Sequence, residues 1–549
     1  MDLVLLSTGK KFDRHYKKLG KCPFLERNEL PKENESDGAV AANQTTLSRE
    51  DKSVVSLGAS LPLRQNDLEK GESDFHVVNK NSVEDPYLVT WDSVDDSMNP
   101  SNWTMARKWW IIIQTSIITI VVTFGSSIYS SGVEQAAHEL HASVPVSTVG
   151  SCTFLVGFGF GSLPFAPLSG IYGRFIVYFL TLLLFTIFQI GGGCAQNIWT
   201  ICILRFFQGV FGSTPLANAG GTISDMFNPI QRTYVLPGFC TFPYLGPIIG
   251  PIMGDFIVQS YLGWRWLFWI NMIWAAGTLA LIFFLFPETH GETILDYKAR
   301  YLRKVTGNPA YYTIHERERD PKNAIFKAAT QSVSLFLTEP IVVCFTLYLT
   351  VVYIINYINF EGYPIIYSKY GFNYGELGLS FIAVGVGIVV AGLLTPLTYK
   401  QYLWAYRRRG NVMCPEDRLY PLFIGAFVLP ISMFWLAWTC YADRIHWIVP
   451  MIASSFFGFA LLIVFFVSYN YIIDSYQHIA PSALAAATVV RYCASGGVTL
   501  AARPMYLNLG DHWATSVLGF ISVAMVPIPF IFYKYGKHIR AWSTHAYKL

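Results

Sequence analysis

The chain has 549 residues, 52% of them hydrophobic and only 14% charged, against roughly 25% charged residues in an average soluble protein. Its net charge of +4 is too small to indicate a nucleic-acid-binding surface. The nine cysteines contain no CxxC pair, which argues against a zinc site or a disulfide framework. The composition therefore favours a membrane protein that binds neither nucleic acid nor a metal.

The first segment, residues 1–105, is rich in Asn, Ser, Asp, Glu and Lys and has no sustained hydrophobic periodicity. Such a segment buries too little apolar area to offset the entropy of ordering it. Its single apolar run near the start is shorter than the 7 to 15 residues of a secretory signal. We therefore predict a disordered cytoplasmic tail, with the first membrane span as the insertion signal.

Six apolar segments follow the tail, each close to the roughly 20 residues with which a helix crosses a bilayer. They lie near 109–130, 145–167, 175–196, 198–224, 233–257 and 266–286. A polar segment over 287–339 then precedes six more, near 341–360, 377–398, 420–440, 446–472, 482–506 and 514–533. The pattern predicts an all-α membrane protein with bundles over 106–286 and 340–534 and a C-terminal tail over 535–549.

Basic residues are unevenly distributed between alternate loops, and short loops rich in Lys and Arg stay in the cytoplasm. The 287–339 segment and the loop between spans 8 and 9 hold most of them: Lys298, Arg300, Arg303, Lys304, Arg317, Arg319, Lys322, Lys327, Lys400, Arg407, Arg408, Arg409 and Arg418. The loops after spans 5, 7 and 9 hold one each: Arg265, Lys369 and Arg444. Both termini are therefore predicted to be cytoplasmic.

Two sequence motifs of energy conversion and hydrolysis are missing. The chain has no GxxxxGK[ST] loop to cradle a nucleotide phosphate and no HExxH motif. A protein with so many spans is expected to carry a solute across the membrane. We therefore predict a transporter without enzymatic activity or a cofactor, driven by an ion gradient or by facilitation.

Span 4 contains Arg205, and a guanidinium at membrane depth is costly unless it faces a cavity or an anionic partner. Gly209 lies one turn later, so a second backbone can approach the same face. Arg205 is therefore a candidate functional residue. The alternative is an arginine that extends to the membrane surface from a helix end.

Span 5 reads YLGPIIGPIMGDF, in which glycine and proline each recur every four residues. Small residues at this spacing favour close helix packing, and each proline removes a backbone donor and can bend the helix. The residues are Gly246, Pro247, Gly250, Pro251 and Gly254. The run fits a hinge helix between two bundles, and it fits plain structural packing equally well.

Polar and aromatic side chains share one face of span 7, at Tyr353, Asn356, Tyr357 and Phe360. Such a face can line a cavity for amphipathic or cationic ligands, or it can belong to an interfacial aromatic belt. Glu361 follows it, and span 10 places Asn470 and Asp474 four residues apart. The polar residues Gln114 and Thr119 of span 1 complete the predicted cavity lining.

Several motifs together resemble one family. RFFQGVFGS (205–213) and the span 5 run are similar to the arginine and antiporter motifs of the major facilitator superfamily. Six further segments resemble its fungal twelve-span drug:proton antiporters, which export drugs, polyamines and fungal toxins. They are VTWDSVDDSMNPSNW, GWRWLFWI, PETHGETILDYKARYLRKVTG, YINFEGYPIIY, NYIIDSY and FYKYGKHIR. The likeness covers about residues 87–545.

The resemblance implies two six-helix bundles that rock about a central site, with proton influx driving a small molecule out across the plasma membrane. It implies coupling through Arg205, Glu361 and Asp474, and conformational roles for Gly173, Arg174, Gln208 and Gly209. The partners would be the substrate, protons and the bilayer, and we expect a monomer. A polyamine exporter, a nutrient importer of the same fold and a non-transporting sensor are the alternatives.

This chain departs from the family pattern in two places. Between spans 2 and 3, Gly170 and Phe175 stand where the superfamily has an acid and a base, so the charge network that latches the bundles is expected to be thinner. Span 11 has Ala487 where relatives have an asparagine, and it adds Arg503. The cavity or outer gate near span 11 is therefore expected to be reshaped.

Overall fold

A computed structural model describes residues 85–410, 414–476, 479–543 and 545–546, without the side chains of residues 229, 230, 321 and 322. Within these ranges the regular structure is helical, apart from one isolated bridge between Leu88 and Tyr312. Helices satisfy every backbone hydrogen bond internally, which the bilayer core requires. Most of the predicted tail, residues 1–84, lies outside the described residues.

The first bundle contains six transmembrane helices, which we label α1 to α6. Their bounds are α1 Met105–Glu139, α2 Val144–Tyr172, α3 Arg174–Gly193, α4 Ile198–Gly212 continued by Thr214–Met226, α5 Pro229–Gln259 and α6 Arg265–Leu285. The break in α4 falls at Ser213, just before Pro215, whose ring disfavours a continuous helix.

The second bundle contains α7 to α12. Their bounds are α7 Pro340–Ser368, α8 Tyr374–Leu379, Ile382–Leu393 and Thr395–Arg408, α9 Tyr420–Thr439, and α10 Ile448–Tyr476. The helix Ala480–Met525 contains Gly510 in a non-helical conformation (φ 74°, ψ 161°), which glycine adopts without a Cβ penalty. We label the part before Gly510 α11, and the part after it, with Pro527–Trp542, α12.

Ten helices in the described residues are long and apolar enough to cross a membrane. One of them, Ala480–Trp542, has 63 residues and contains both α11 and α12. The two parts of α4 are each shorter than a full span, and together they make the twelfth membrane helix. The prediction of twelve membrane helices in an all-α protein is thereby confirmed.

Packing between helices defines how the two bundles meet. Within the bundles, α1 packs on α5, α2 on α4 and α3 on α6, while α7 packs on α11 and α10 on both α8 and α9. Between the bundles, α2 packs on α11 and α5 packs on α8. A cavity between the bundles is therefore bordered by these four helices.

The predicted polar segment 287–339 contains three helices, Gly291–Thr306, Ile314–Glu318 and Pro321–Thr338. Residues 297–312 form a compact unit with the residues up to Val89, of which 85–89 are described. Its core consists of Val89, Ala299, Leu302 and Tyr311. The remaining described residues form a second compact unit that contains all twelve transmembrane helices.

The two predicted tails are shorter than expected. Residues 85–104 make specific contacts: Trp103 is buried, and Ser101 accepts a hydrogen bond from the Lys108 ammonium (2.8 Å). At the other end α12 continues to Trp542, and the His545 ring bonds the Glu339 carboxylate (3.0 Å). Buried aromatic and charged partners order these residues despite their polar composition.

Candidate functional site between the two bundles

A cavity of about 500 Å³ lies between the bundles. It is on the side of the molecule that carries Gly170, Asp225 and Asp474, which we call the central-segment side. Its polar lining includes Asn218, Thr233, Tyr469, Asn470, Asp474 and Thr488. This volume suits a small organic molecule, since most ligand pockets measure roughly 300 to 1,000 Å³.

A second, central pocket has room for about 10 Å³ and lies where α1, α2, α5, α7 and α11 meet. Three of the predicted cavity residues, Tyr353, Asn356 and Tyr357, line it. The remaining lining residues are Thr123, Ser126, Phe158, Pro243, Tyr244, Pro247 and Tyr492. The aromatic face of α7 therefore faces the space between the bundles and not an interfacial belt.

The four other residues that were predicted to line the cavity do not line the central pocket. Asn470 lines the larger cavity, and its amide donates to the Phe466 carbonyl (2.9 Å). Gln114 is fully buried in α1, and the Thr119 hydroxyl donates to the carbonyl one turn before it. Phe360 packs against Phe381 of α8 (ring centroids 5.3 Å apart). Gln114, Thr119 and Phe360 thus lie in helix packing and outside the lining of both cavities.

Arg205 is buried, with 1% of its surface exposed. Its guanidinium donates to three backbone carbonyls, those of Gly125 (2.6 Å), Ser126 (3.1 Å) and Gly150 (3.3 Å). It therefore does not extend to the membrane surface. It joins α4 to α1 and α2 directly beside the central pocket, which Ser126 lines.

The two predicted acidic residues lie on opposite sides of the protein. Asp474 pairs with Arg418 (2.7 Å), on the central-segment side. Glu361 lies on the other side, where it interacts electrostatically with Arg503 and Glu134, two residues that form an ion pair between α11 and α1 (2.7 Å). The structure thus does not bring Arg205, Glu361 and Asp474 into one network.

Charges beside Gly173 differ from the thin network expected from Gly170 and Phe175. Arg174 pairs with Asp225 (2.9 Å), and the Glu288 carboxylate accepts hydrogen bonds from the backbone of Arg174 (2.9 Å) and Phe175 (3.2 Å). Gly173 has φ 93°, and a Cβ there would come within 2.3 Å of the Glu288 carboxylate. These two acids hold the start of α3 to α4 and to the segment after α6, and the thinner latch between the bundles stays a prediction.

His315 connects the central segment to the end of α2. Its Nδ1 lies 2.7 Å from the Asp296 carboxylate and its Nε2 lies 3.0 Å from the Gly170 carbonyl. Both neighbours are acceptors, so both ring nitrogens must carry protons. Hydrogen bonding to Asp296 raises the pKa of His315 accordingly, and Glu292, 3.9 Å away, adds to the rise.

Ligand-type atoms of His290, Glu292 and His315 lie within 4.8 Å of one another. Burial lowers the pKa of His290 to about 3, so its ring is neutral at physiological pH. The two hydrogen bonds of His315 occupy both of its ring nitrogens. The cluster is therefore arranged as an ion pair and not as a metal centre, and the absence of a metal stays a prediction.

The His315 contact is expected to depend on pH. Because the pKa is raised in the folded protein, the contact stabilises the fold fully below the ordinary histidine pKa and loses this effect as pH rises through the raised value. We expect His315→Ala to destabilise the protein by about 1 kcal/mol at mildly acidic pH and by much less at alkaline pH. Thermal unfolding across pH measures this, and exposed His138→Ala is the control. A pH-independent difference would contradict it.

Close packing of α1 on α5 depends on the glycine run. Cβ atoms at Gly246, Gly250 and Gly254 would come within 2.0, 2.0 and 2.6 Å of Thr123, Ser127 and Ser131 hydroxyls, respectively. Pro247 lines the central pocket, and the Pro251 carbonyl closely approaches Gly378 of α8. One face of α5 therefore packs on α1, while the same helix also borders the second bundle.

The residues that follow Arg205 in the arginine motif of α4 also hold helices of the first bundle together. Gln208 donates to the Phe188 carbonyl of α3 (2.8 Å). A Cβ at Gly209 would lie 2.0 Å from the Phe154 carbonyl of α2. These residues fix helix positions within the first bundle and do not line either cavity.

Arg491 of α11 is a site residue that the sequence reasoning missed. It is fully buried, and its guanidinium lies over the Tyr353 ring at 4.3 Å. The signal was available, because Arg491 is an arginine inside an apolar span, as Arg205 is. Neither the family motifs nor the span 11 departures include it.

Comparison with known proteins agrees with this architecture. The chain is 73% identical to the uncharacterized transporter mfs2 of Schizosaccharomyces pombe over 550 residues, covering 100% of both chains. It is 36% identical to the efflux pump FUBT of Fusarium oxysporum, covering 86% of this chain and 80% of the pump. The partially occluded inward-open structure of the xylose transporter XylE from E. coli has the same fold (TM-score 0.56, 16% identity, 78% and 98% coverage).

The family model for the Major Facilitator Superfamily matches residues 115–499. This range begins within α1 and ends within α11, and so it includes all residues that line the two cavities and every transmembrane helix except α12, in whole or in part. Its members and the similar proteins above are transporters and not enzymes, in agreement with the prediction. The chain therefore belongs to the Major Facilitator Superfamily.

Proposed function

We propose that this transporter exports a small amphipathic organic molecule from the cytoplasm by proton antiport, with alternating access to the central pocket. The observation that carries the proposal is the cavity of about 500 Å³ on the central-segment side. On the opposite side the bundles are joined by the Glu134–Arg503 ion pair and by a hydrogen bond from Gly375 to Gln259 (2.9 Å). One side is thus accessible while the other is closed.

The distribution of basic residues supports the direction. Lys and Arg concentrate in the central segment and in the loop between α8 and α9, so the central-segment side is assigned to the cytoplasm. The cavity then faces the cytoplasm, where an exporter collects its cargo. The similarity to an efflux pump supports export, and the plasma membrane is the membrane across which export removes a toxic metabolite.

Proton coupling requires a group whose protonation differs between the two conformations. Glu361 is the acid best placed for this role, since it lies in α7 beside the ion pair that closes the outer side. When that pair separates and the outer side opens, Glu361 becomes accessible to the outside and takes up a proton, which it must give up toward the cytoplasm once Arg503 returns and the outer side closes. Asp474 is already paired with Arg418 and is the second candidate.

The function is tested in cells that lack their own multidrug exporters and express this chain. A panel of azoles, cycloheximide, polyamines and fungal metabolites is screened for resistance, and the labelled hits are followed for extrusion. Export of at least one hit supports the proposal. Net uptake of the same compound would support the importer alternative, and transport restricted to polyamines would support a polyamine exporter.

Glu361→Gln is expected to uncouple transport from the proton gradient, because the amide mimics a permanently protonated acid. Concentrative export should fall by about tenfold or more, while binding of the same cargo changes little. Exposed Asp443→Asn, in the loop before α10, is the matched control. Undiminished proton-driven export by Glu361→Gln would exclude Glu361 as the coupling group.

A further inference from the structure

We infer that Arg491 is the binding site for a negatively charged group on the cargo, so that this transporter selects planar organic anions over cations. The inference rests on the proposed function and specifies its substrate class. It differs from the cationic ligands that the aromatic face of α7 suggests by itself. It follows from burial, hydrogen bonding, aromatic contacts and the charges of the cavity.

The Arg491 guanidinium has an incomplete set of partners. The side chain has no exposed surface, and its Nη2 donates to the Tyr469 hydroxyl (3.2 Å). Its Nε and Nη1 have no hydrogen-bond partner among the described residues. A buried arginine cannot lose its proton, so this charge and these donors persist in an apolar interior.

Arg205 provides an internal comparison, since it is equally buried and also lies at membrane depth. All three of its nitrogens donate to backbone carbonyls. Among the described residues neither arginine forms an ion pair, and each nitrogen of Arg205 has a backbone carbonyl as acceptor. Two nitrogens of Arg491 are left without an acceptor, which is the arrangement expected of a guanidinium that hydrogen-bonds to a bound ligand.

Aromatic rings surround the Arg491 guanidinium. Its Cζ lies 4.3 Å from the ring centroid of Tyr353, 5.0 Å from Tyr492, 5.2 Å from Phe465 and 5.5 Å from Tyr469. These rings stabilise the cation in the empty state. They also form flat apolar surfaces on which a planar ligand can stack while its anionic group meets the guanidinium.

Arg491 lies between the two cavities. Tyr353 and Tyr492 line the central pocket, whereas Phe465 and Tyr469 line the larger cavity. Arg491 lines neither cavity itself, and it contacts rings of both, so a ligand reaches its guanidinium where these rings move apart. The planar fork of arginine suits a carboxylate, which can accept two parallel hydrogen bonds from it.

The charges of the larger cavity agree with this selection. Three arginines line it, Arg174, Arg232 and Arg418; Arg174 pairs with Asp225 and Arg418 with Asp474, so Arg232 supplies the excess positive charge. A cleft with an excess of one sign of charge concentrates ligands of the opposite sign. A cation would be repelled first by this lining and then by Arg491.

The test uses three aromatic probes of one shape: 1-naphthoate, neutral 1-naphthamide and cationic 1-naphthylmethylammonium. Binding is measured by intrinsic fluorescence quenching of the full-length protein in lipid nanodiscs, so transport is not required. We expect naphthoate to bind most tightly. Arg491→Gln should weaken naphthoate by roughly 10- to 100-fold and change naphthamide by about twofold or less.

Arg491→Lys keeps the charge and loses the fork, so its effect on naphthoate should be intermediate. Exposed Arg444→Gln, which removes the same charge from the loop before α10, should have no effect. Equal weakening of naphthoate and naphthamide, binding of the cation as tight as that of naphthoate, or no binding of naphthoate to the unmodified protein would overturn the inference. Charge-selective binding without cellular export would instead contradict the proposed function and leave this inference standing.

Discussion

Arg205→Ala is expected to abolish transport and to destabilise the first bundle by about 3 to 6 kcal/mol, since it removes three buried hydrogen bonds from a charged donor and leaves a cavity between α4, α1 and α2. The carbonyls of Gly125 and Ser126 belong to α1, and Ser126 lines the central pocket. Loss of the Arg205 guanidinium is expected to shift the wall of that pocket. Efflux, abundance at the membrane and thermal unfolding are measured together.

Lysine is expected to rescue this variant poorly, because a single ammonium group cannot reach three carbonyls in different directions. The matched control is Arg407→Ala, which removes an exposed arginine at the end of α8. Normal efflux by an abundant, stable Arg205→Ala protein would mean that the three hydrogen bonds are dispensable for transport.

The second large effect is expected for Gly250→Leu. A Cβ at this position would lie 2.0 Å from the Ser127 hydroxyl and 3.0 Å from the Ile128 backbone nitrogen, so α1 and α5 must separate. Overpacking of this kind costs about 1 to 3 kcal/mol or more. We expect loss of transport and a lower unfolding temperature.

Gly277→Leu is the matched control, because a Cβ at Gly277 of α6 has no neighbour within 4 Å in the described part of the chain. Ser127→Gly removes the nearest clashing atom, so it should partly restore the stability of Gly250→Leu. Double-mutant analysis of unfolding measures this coupling. Strict additivity of the two changes would show that the damage does not arise at this contact.

The sequence predicts the twelve helices well, because crossing a bilayer requires a length and an apolar composition that are visible locally. It also indicates that Arg205 lies at membrane depth and that the α5 glycines pack closely on another helix, since an arginine in an apolar span and a four-residue glycine repeat are local signals. Boundaries at Ser213 and Gly510 are less visible, because they depend on where two helices meet.

The network around Gly173 could not be predicted, because its acids come from elsewhere in the chain. Asp225 lies near the end of α4, one transmembrane hairpin after Gly173, and Glu288 and His315 lie after the end of α6. Contacts between residues so distant in sequence leave no trace in a local motif. They lie within the first bundle and the segment after it, so the weaker latch between the bundles expected from Gly170 and Phe175 stays a prediction.

The cavity lining was predicted in part. Helical periodicity identifies the polar face that Tyr353, Asn356 and Tyr357 share, but it cannot say how far that face extends toward a neighbouring helix. Phe360 lies one turn beyond and packs on α8. Gln114 and Thr119 are polar residues absorbed by helix packing, which polarity alone does not distinguish from cavity lining.

Proton-driven export is tested most directly in inside-out vesicles, with a cargo identified by the cellular screen. We expect the labelled cargo to accumulate inside when the lumen is acidic, a protonophore to abolish this accumulation, and Glu361→Gln vesicles not to accumulate it. Accumulation that is unaffected by the protonophore, or that occurs only in right-side-out vesicles, would contradict proton-driven export.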